Sequence, residues 1–222
     1  MSCILRSSDT LLYMDITEFE NKRWHVHDQK VEFRHKAAAE LIELGAALDI
    51  GCGDGLLLEL LKKKGIPAEG VDISAEAVNK CRAKNLVARV HAFNEPLPFK
   101  DEAFEYAVLL DVLEHVYDPA TLLAEAARVA KKVIVGVPNF SSLPARVQVL
   151  VGKVPENNTP HKGHLYWFNR HALRHVAKEA GLHVVREKDN TFFPLSRMGS
   201  VWVRLWPSLF ALSFVVVLEK ND

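Results

Sequence analysis

Cysteine is scarce in this chain, with Cys3, Cys52 and Cys81 the only three among 222 residues. So few, so scattered, make neither a disulfide framework nor a zinc site, and free thiols in a reducing compartment are the simplest reading. An excess of one charge is missing as well. Lys plus Arg and Asp plus Glu number 28 each, which removes the basic field that a nucleic-acid partner would require. The first residues carry no charged run followed by a long apolar core, so no secretory signal is expected and the location is taken as cytoplasmic. Internal repeats and low-complexity tracts are also absent. An uninterrupted membrane span is lacking too. Residues 201–218 approach the length of one, but Arg204, Pro207, Ser208 and Ser213 break them, and an arginine near a bilayer centre costs about 2.5–3.5 kcal/mol. The stretch reads as an aromatic-bearing loop followed by a buried strand around Leu212–Leu218. Peripheral membrane or protein contact through its aromatics is the alternative.

What is present is ordinary globular material, 49% hydrophobic and 25% charged, enough for one well-buried domain. Apolar periods alternate between helical and extended. Helices are expected over His27–Leu44, with Val31, Ala38, Leu41, Ile42 and Leu44 as its apolar stripe, and over Leu56–Lys64. Others follow at Ala75–Lys84 behind a Ser74 cap, Pro119 to about Ala130, and Arg170–Ala180. Strands are expected at Ala46–Ile50, Ala68–Asp72, Leu86–Phe93, Phe104–Leu110, Lys132–Val137, Leu182–Arg186 and Leu212–Leu218. The fold class is therefore α/β, a Rossmann-like, doubly wound, seven-stranded, mostly parallel sheet with helices on both faces. Residues 138–169 break the rhythm with Pro138, Pro144, Pro155 and Pro160. They form a candidate insertion or lid with one amphipathic piece near Ala145–Val151. Residues 1–27 form a segment that either caps the site or docks on the sheet, and 28–222 form the domain proper.

The central signal is Leu48-Asp49-Ile50-Gly51-Cys52-Gly53-Asp54-Gly55, set between a strand and a helix. Glycines there permit a tight turn and close approach of backbone to ligand at the sheet's C-terminal edge. Asp72, 21 residues past Gly51 and at the end of the second strand, is placed to accept from ribose hydroxyls. Charge then selects the ligand. A dinucleotide loop wants a third glycine where Leu56 stands, and Asp54 would set a carboxylate beside phosphates. No G-x-x-x-x-G-K-[ST] loop is present. A ligand bearing a sulfonium and an ammonium suits the carboxylates Asp49, Asp54, Asp72, Asp111 and Glu114 gathered on one edge. A nicotinamide or nucleotide-sugar enzyme is the weaker reading.

These residues resemble the first motif of class I S-adenosylmethionine (SAM)-dependent methyltransferases, and Val71–Ser74 resembles the segment that follows it. Leu97–Val116, LPFKDEAFEYAVLLDVLEHV, is similar to their third and fourth motifs, and Arg170–Leu182 to a late helix ending in Glu-Ala-Gly. Within the class, Val133–Pro155 looks like the methionine-biosynthesis MetW type. The resemblance implies SAM as cofactor. It places the methionine part against Asp49, Gly51, Cys52, Gly53 and Gly55, the ribose on Asp72 beside Ile73, and the adenine beside Phe93 and Asn94. Leu110, Asp111 and His115 would line the methyl-bearing side. Cys52 is read as a small residue filling the variable position between glycines.

Methyl transfer from a sulfonium is an in-line displacement, with donor and acceptor held at near-attack distance. A base is needed only where the acceptor must lose a proton. His115 is the first choice for that role and His164, in HKGHLYWF with His161, the second; a packing or hydrogen-bonding histidine is the plain alternative to either. The H-x-x-H spacing of His161 and His164 has no cysteine or acidic cluster beside it in sequence, so no metal is expected. Tyr13, Phe19, Trp24, His25 and His27 could close over the cofactor. Thr191–Pro194 with Trp202, Trp206 and Phe210 could form a hydrophobic mouth or a partner surface. The partners expected are a small or moderately apolar acceptor and, at most, a second copy of the chain. The MetW resemblance implies a second function, a SAM-binding protein that modulates another enzyme such as a homoserine acyltransferase.

Overall fold

The computed structural model describes residues 17–24, 31–155, 163–191 and 205–221. His25, His27, His161, Phe192, Phe193, Trp202 and the chain before residue 17 lie outside them, together with the expectations placed on them. A seven-stranded sheet runs through the centre in the order β3-β2-β1-β4-β5-β7-β6. Its strands are β1 (Ala47–Ile50), β2 (Ala68–Asp72), β3 (Ala88–Val90), β4 (Phe104–Leu110), β5 (Ala130–Pro138), β6 (Leu182–Thr191) and β7 (Ala211–Lys220). Strands β1 to β5 pair in parallel, while β7 runs antiparallel between β5 and β6. The order reverses between β1 and β4, so loops leaving their C-terminal ends diverge and open a crevice there.

The helices are α1 (residues 17–24), α2 (Phe33–Leu41), α3 (Leu56–Lys63), α4 (Ala75–Ala83), α5 (Pro119–Val129), α6 (Leu143–Leu150) and α7 (Arg170–Glu179), with a short turn at Pro207–Phe210. One face of the sheet, with Val108, Ile134, Val215 and Val217, is covered by Ala38, Leu41, Leu57 and Leu61 from α2 and α3. The other, with Leu109, Val135, Phe214 and Val216, is covered by Leu122, Ala126 and Leu173 from α5 and α7. Strands buried on both faces carry continuous apolar runs, which is why β4 is read in full from its residues.

Caps fix where the helices begin. Ser74 Oγ accepts from Ala77 N at 3.2 Å, and Asp118 Oδ1 accepts from Thr121 N at 2.9 Å ahead of Pro119, each cap supplying about 1 kcal/mol. Three expectations change in detail. Helix α2 stops at Leu41, because Ile42 is extended and Gly45 turns the chain into β1; Leu44 therefore stands 83% exposed rather than in the apolar stripe, and Val31 is exposed too. Strand β3 is only three residues long, since at the sheet edge it has one neighbour. Strand β6 reaches Thr191, well past Arg186, because β7 pairs along its whole length. Within the expected insertion, α6 is the helical piece. No helix among the described residues is long and apolar enough to cross a membrane.

Candidate active site

A cavity of about 1300 Å³ opens over the C-terminal ends of β1, β2 and β4. Its floor comes from turns that local sequence dictates. Gly51 has φ of +76°, and a Cβ there would come within 2.4 Å of Val112 Cγ2, so only glycine passes. Asp72, closing β2, accepts from Gly53 N at 2.9 Å and Ser74 N at 2.8 Å, which ties the glycine loop to the start of α4. Burial raises its pKa to about 6 against those two amides. Asp49 lies deeper, and burial, then the charge of Asp72, push it up to about 8. Such a pair of buried carboxylates favours a bound cation.

Asp49, Gly51, Cys52, Asp72 and Ile73 line one end of the cavity, Phe93 and Asn94 the adjacent wall, and Leu110, Asp111 and His115 the far side. Three members of the glycine motif do not line the cavity, Gly53 among them, packed against the Trp24 ring. A Cβ on Gly55 would meet Leu86 at 2.5 Å and Cys81 Sγ at 3.0 Å, so that glycine serves the packing of α4. Asp54 is buried against Lys84, 3.3 Å from Nζ, and does not line the cavity. Its carboxylate therefore does not repel phosphate there, and the choice of ligand rests on Asp49 and Asp72. Cys52 is buried with its Sγ 4.0 Å from that of Cys81. A Cβ on Gly70 of β2 would sit 2.6 Å from the Cys52 sulfur. The bland reading of Cys52 as a packed small residue thus matches its surroundings.

At the far side Asp111 has φ of +56° and an ion pair with Arg34 from α2, with both Nε and Nη2 at 2.8 Å from Oδ2. Sequence reasoning missed Arg34. It lies 77 residues from its partner, and nothing local marks it. Glu114, in the short 3-10 turn Leu113–His115, is 1% exposed, and neither of its oxygens has a hydrogen-bond partner among the described residues. Burial and then Asp111 raise it to about 8. The Glu114 carbonyl accepts from Leu165 N at 2.7 Å, which brings the segment around His164 down onto the site. His115 Nδ1 lies 3.2 Å from the Gly163 carbonyl, and since a carbonyl only accepts, Nδ1 carries a proton, which in the neutral ring leaves the lone pair on Nε2. The His115 and His164 rings meet edge to face with centroids 4.8 Å apart. Ligating atoms of Glu114, His115 and His164 all lie within 4.8 Å of one another, a donor set of the kind that holds a divalent cation.

Helix α1 completes the end of the cavity beside Asp49 and Asp72, where Glu20, Arg23 and Trp24 line it. Trp206 and Leu205 are exposed at the start of the C-terminal segment, as are Val147, Leu150 and Val151 along α6.

The fold is shared with solved methyltransferases. A SAM-dependent methyltransferase from Thermotoga maritima superposes with a TM-score of 0.64 at 20% identity, covering 97% of this chain and 96% of its own. Magnesium protoporphyrin IX methyltransferase from Synechocystis, solved with S-adenosylhomocysteine (SAH), gives 0.64 at 17% identity, covering 96% and 100%. Among curated sequences, the ubiquinone biosynthesis O-methyltransferase of Thiobacillus denitrificans is 28% identical over 68% of this chain and 70% of that protein. The same-named enzyme of Hahella chejuensis is 33% identical over 90 residues. That last match spans only 38% of the relative's length. Residues 33–193 match the family described as methionine biosynthesis protein MetW. The chain belongs to the MetW family, built on the class I SAM-dependent methyltransferase fold.

Proposed function

We propose that the protein is a SAM-dependent methyltransferase acting on a small or moderately apolar acceptor. The observation that carries this is the pair of buried carboxylates, Asp49 and Asp72, at the floor of an open cavity beside Gly51. Asp49 faces the ammonium and methionine part of the donor, Asp72 accepts from the ribose, and Phe93 and Asn94 border the adenine. The sulfonium methyl then points toward Leu110, Asp111 and His115. There the chain's work is to orient the acceptor for in-line attack and keep water out. For a hydroxyl acceptor, the Nε2 lone pair of His115 takes the proton, with Gly163 fixing the tautomer and His164 packing the ring.

The test is calorimetric titration with SAM and SAH, followed by turnover of radiolabelled SAM against a panel of phenols, carboxylates and amines. Micromolar binding with label transferred to one acceptor class supports the reading. No binding of either nucleoside removes it.

A second reading follows from family membership and the exposed apolar side chains Val147, Leu150, Val151 and Trp206. In it the chain binds SAM and docks on another enzyme, a homoserine acyltransferase being the candidate that the MetW-like sequence resemblance implies. Equal acyltransferase activity with and without this chain removes that reading.

A further inference from the structure

Helix α1 covers residues 17–24 of the described structure, and its position over the donor end depends on what it touches. Trp24, 5% exposed, packs on the glycine loop, where a Cβ on Gly53 would come within 2.4 Å of the indole Cη2. An apolar ring contact gives area but little register. Register comes from Asn21, whose Oδ1 accepts from Ser74 Oγ at 2.7 Å and from Glu76 N at 3.4 Å. Ser74 Oγ itself accepts from Ala77 N, and Ser74 N donates to Asp72. One short relay thus joins α1, the cap of α4 and the carboxylate assigned to the ribose. Glu20 and Arg23, either side of Asn21, face the same cavity.

We propose that Asn21 is a positioning residue, a latch that holds α1 shut over the donor and sets how fast SAM and SAH leave. The inference rests on the methyltransferase reading. Opening α1 breaks the two Asn21 hydrogen bonds and lifts Trp24 off Gly53, uncovering the ribose end without disturbing the sheet. Both bonds need an acceptor at Asn21, and both point at the N-terminus of α4, where negative charge is favoured. Asn21→Asp therefore keeps the latch, while Asn21→Ala removes it.

The experiment is stopped-flow displacement of SAH by excess SAM from the full-length protein, with the Tm of the ligand-free protein measured in parallel. Wild type should release SAH slowly. Asn21→Ala should release it roughly three- to tenfold faster, the loss of one or two ordinary hydrogen bonds, with the ligand-free Tm essentially unmoved and Asn21→Asp restoring the slow rate. In the Ser74→Ala background, Asn21→Ala should add little, because the shared bond is already gone. An unchanged release rate in Asn21→Ala, or a ligand-free Tm that falls in step with it, overturns the latch. Failure of wild type to bind SAH at all overturns the methyltransferase reading instead.

Discussion

Asp72 is held by two amides from different elements, Gly53 N and Ser74 N, so its replacement acts twice. Asp72→Ala leaves both donors without a partner, at about 1–3 kcal/mol for each buried group, and removes the ribose acceptor. We expect a Tm lower by several degrees and a SAM Kd raised at least tenfold, measured by thermal shift and calorimetry on one preparation. His115 behaves differently. It stands beside the cavity's far side, bonded through Nδ1 to Gly163, so His115→Ala should leave SAM affinity within about twofold. For a hydroxyl acceptor it should lower kcat by about 10²–10⁴, the usual contribution of a positioned base; an unchanged kcat removes the base assignment. At this scale the residues legible in advance were those whose meaning is local. Asp49, Gly51 and Asp72 sit at strand ends that the apolar pattern locates. Arg34 and Asn21 were not legible, because their partners, Asp111 and Ser74, lie 77 and 53 residues away. Asp54 was misjudged for a related reason. A loop carboxylate's direction depends on Lys84, 30 residues further on.

Between elements, one close approach at the site is the crossing of β2 under the glycine loop. Gly70 leaves room for the Cys52 sulfur, and a methyl there would sit 2.6 Å from it. Gly70→Ala should therefore overpack a buried contact, lowering stability by about 1–3 kcal/mol in a denaturant melt. Gly53→Ala presses instead on the Trp24 ring. It should displace α1 and weaken SAM binding more than it lowers the stability of the sheet. Strands β2 and β4 were readable to the residue because β4 is apolar almost throughout and β2 ends at the acidic Asp72. The helix α2 stripe was over-read at its end. The 3.6 period runs on to Leu44, but the backbone has already become extended at Ile42 to feed β1. The antiparallel insertion of β7 between β5 and β6 leaves no trace in the pattern of either strand. It enters only with the resemblance to the family.

For the whole molecule, Asp49 and Glu114 at about 8 and Asp72 at about 6 link charge to pH. Each is raised above its unfolded value near 4, so the ligand-free fold binds more protons than the unfolded chain. The stability these groups contribute is present at low pH and is lost as pH rises through their folded values. The ligand-free Tm should accordingly fall between pH 6 and 8.5. A cationic donor favours the ionised carboxylates, so its affinity should move the other way, Kd falling several-fold from pH 6 to 8 as protons are released on binding. A Tm that rises across that range contradicts the burial of these carboxylates.

The account stands on the claim that this acidic crevice takes a sulfonium donor rather than a phosphate-bearing one. Calorimetric titration of the full chain at pH 8, with SAM and then NADH as ligands, addresses it most directly. The prediction is one SAM site of micromolar Kd, with proton release seen as a dependence of the heat on buffer, and no heat from NADH. Saturable NADH binding with no response to SAM would contradict it.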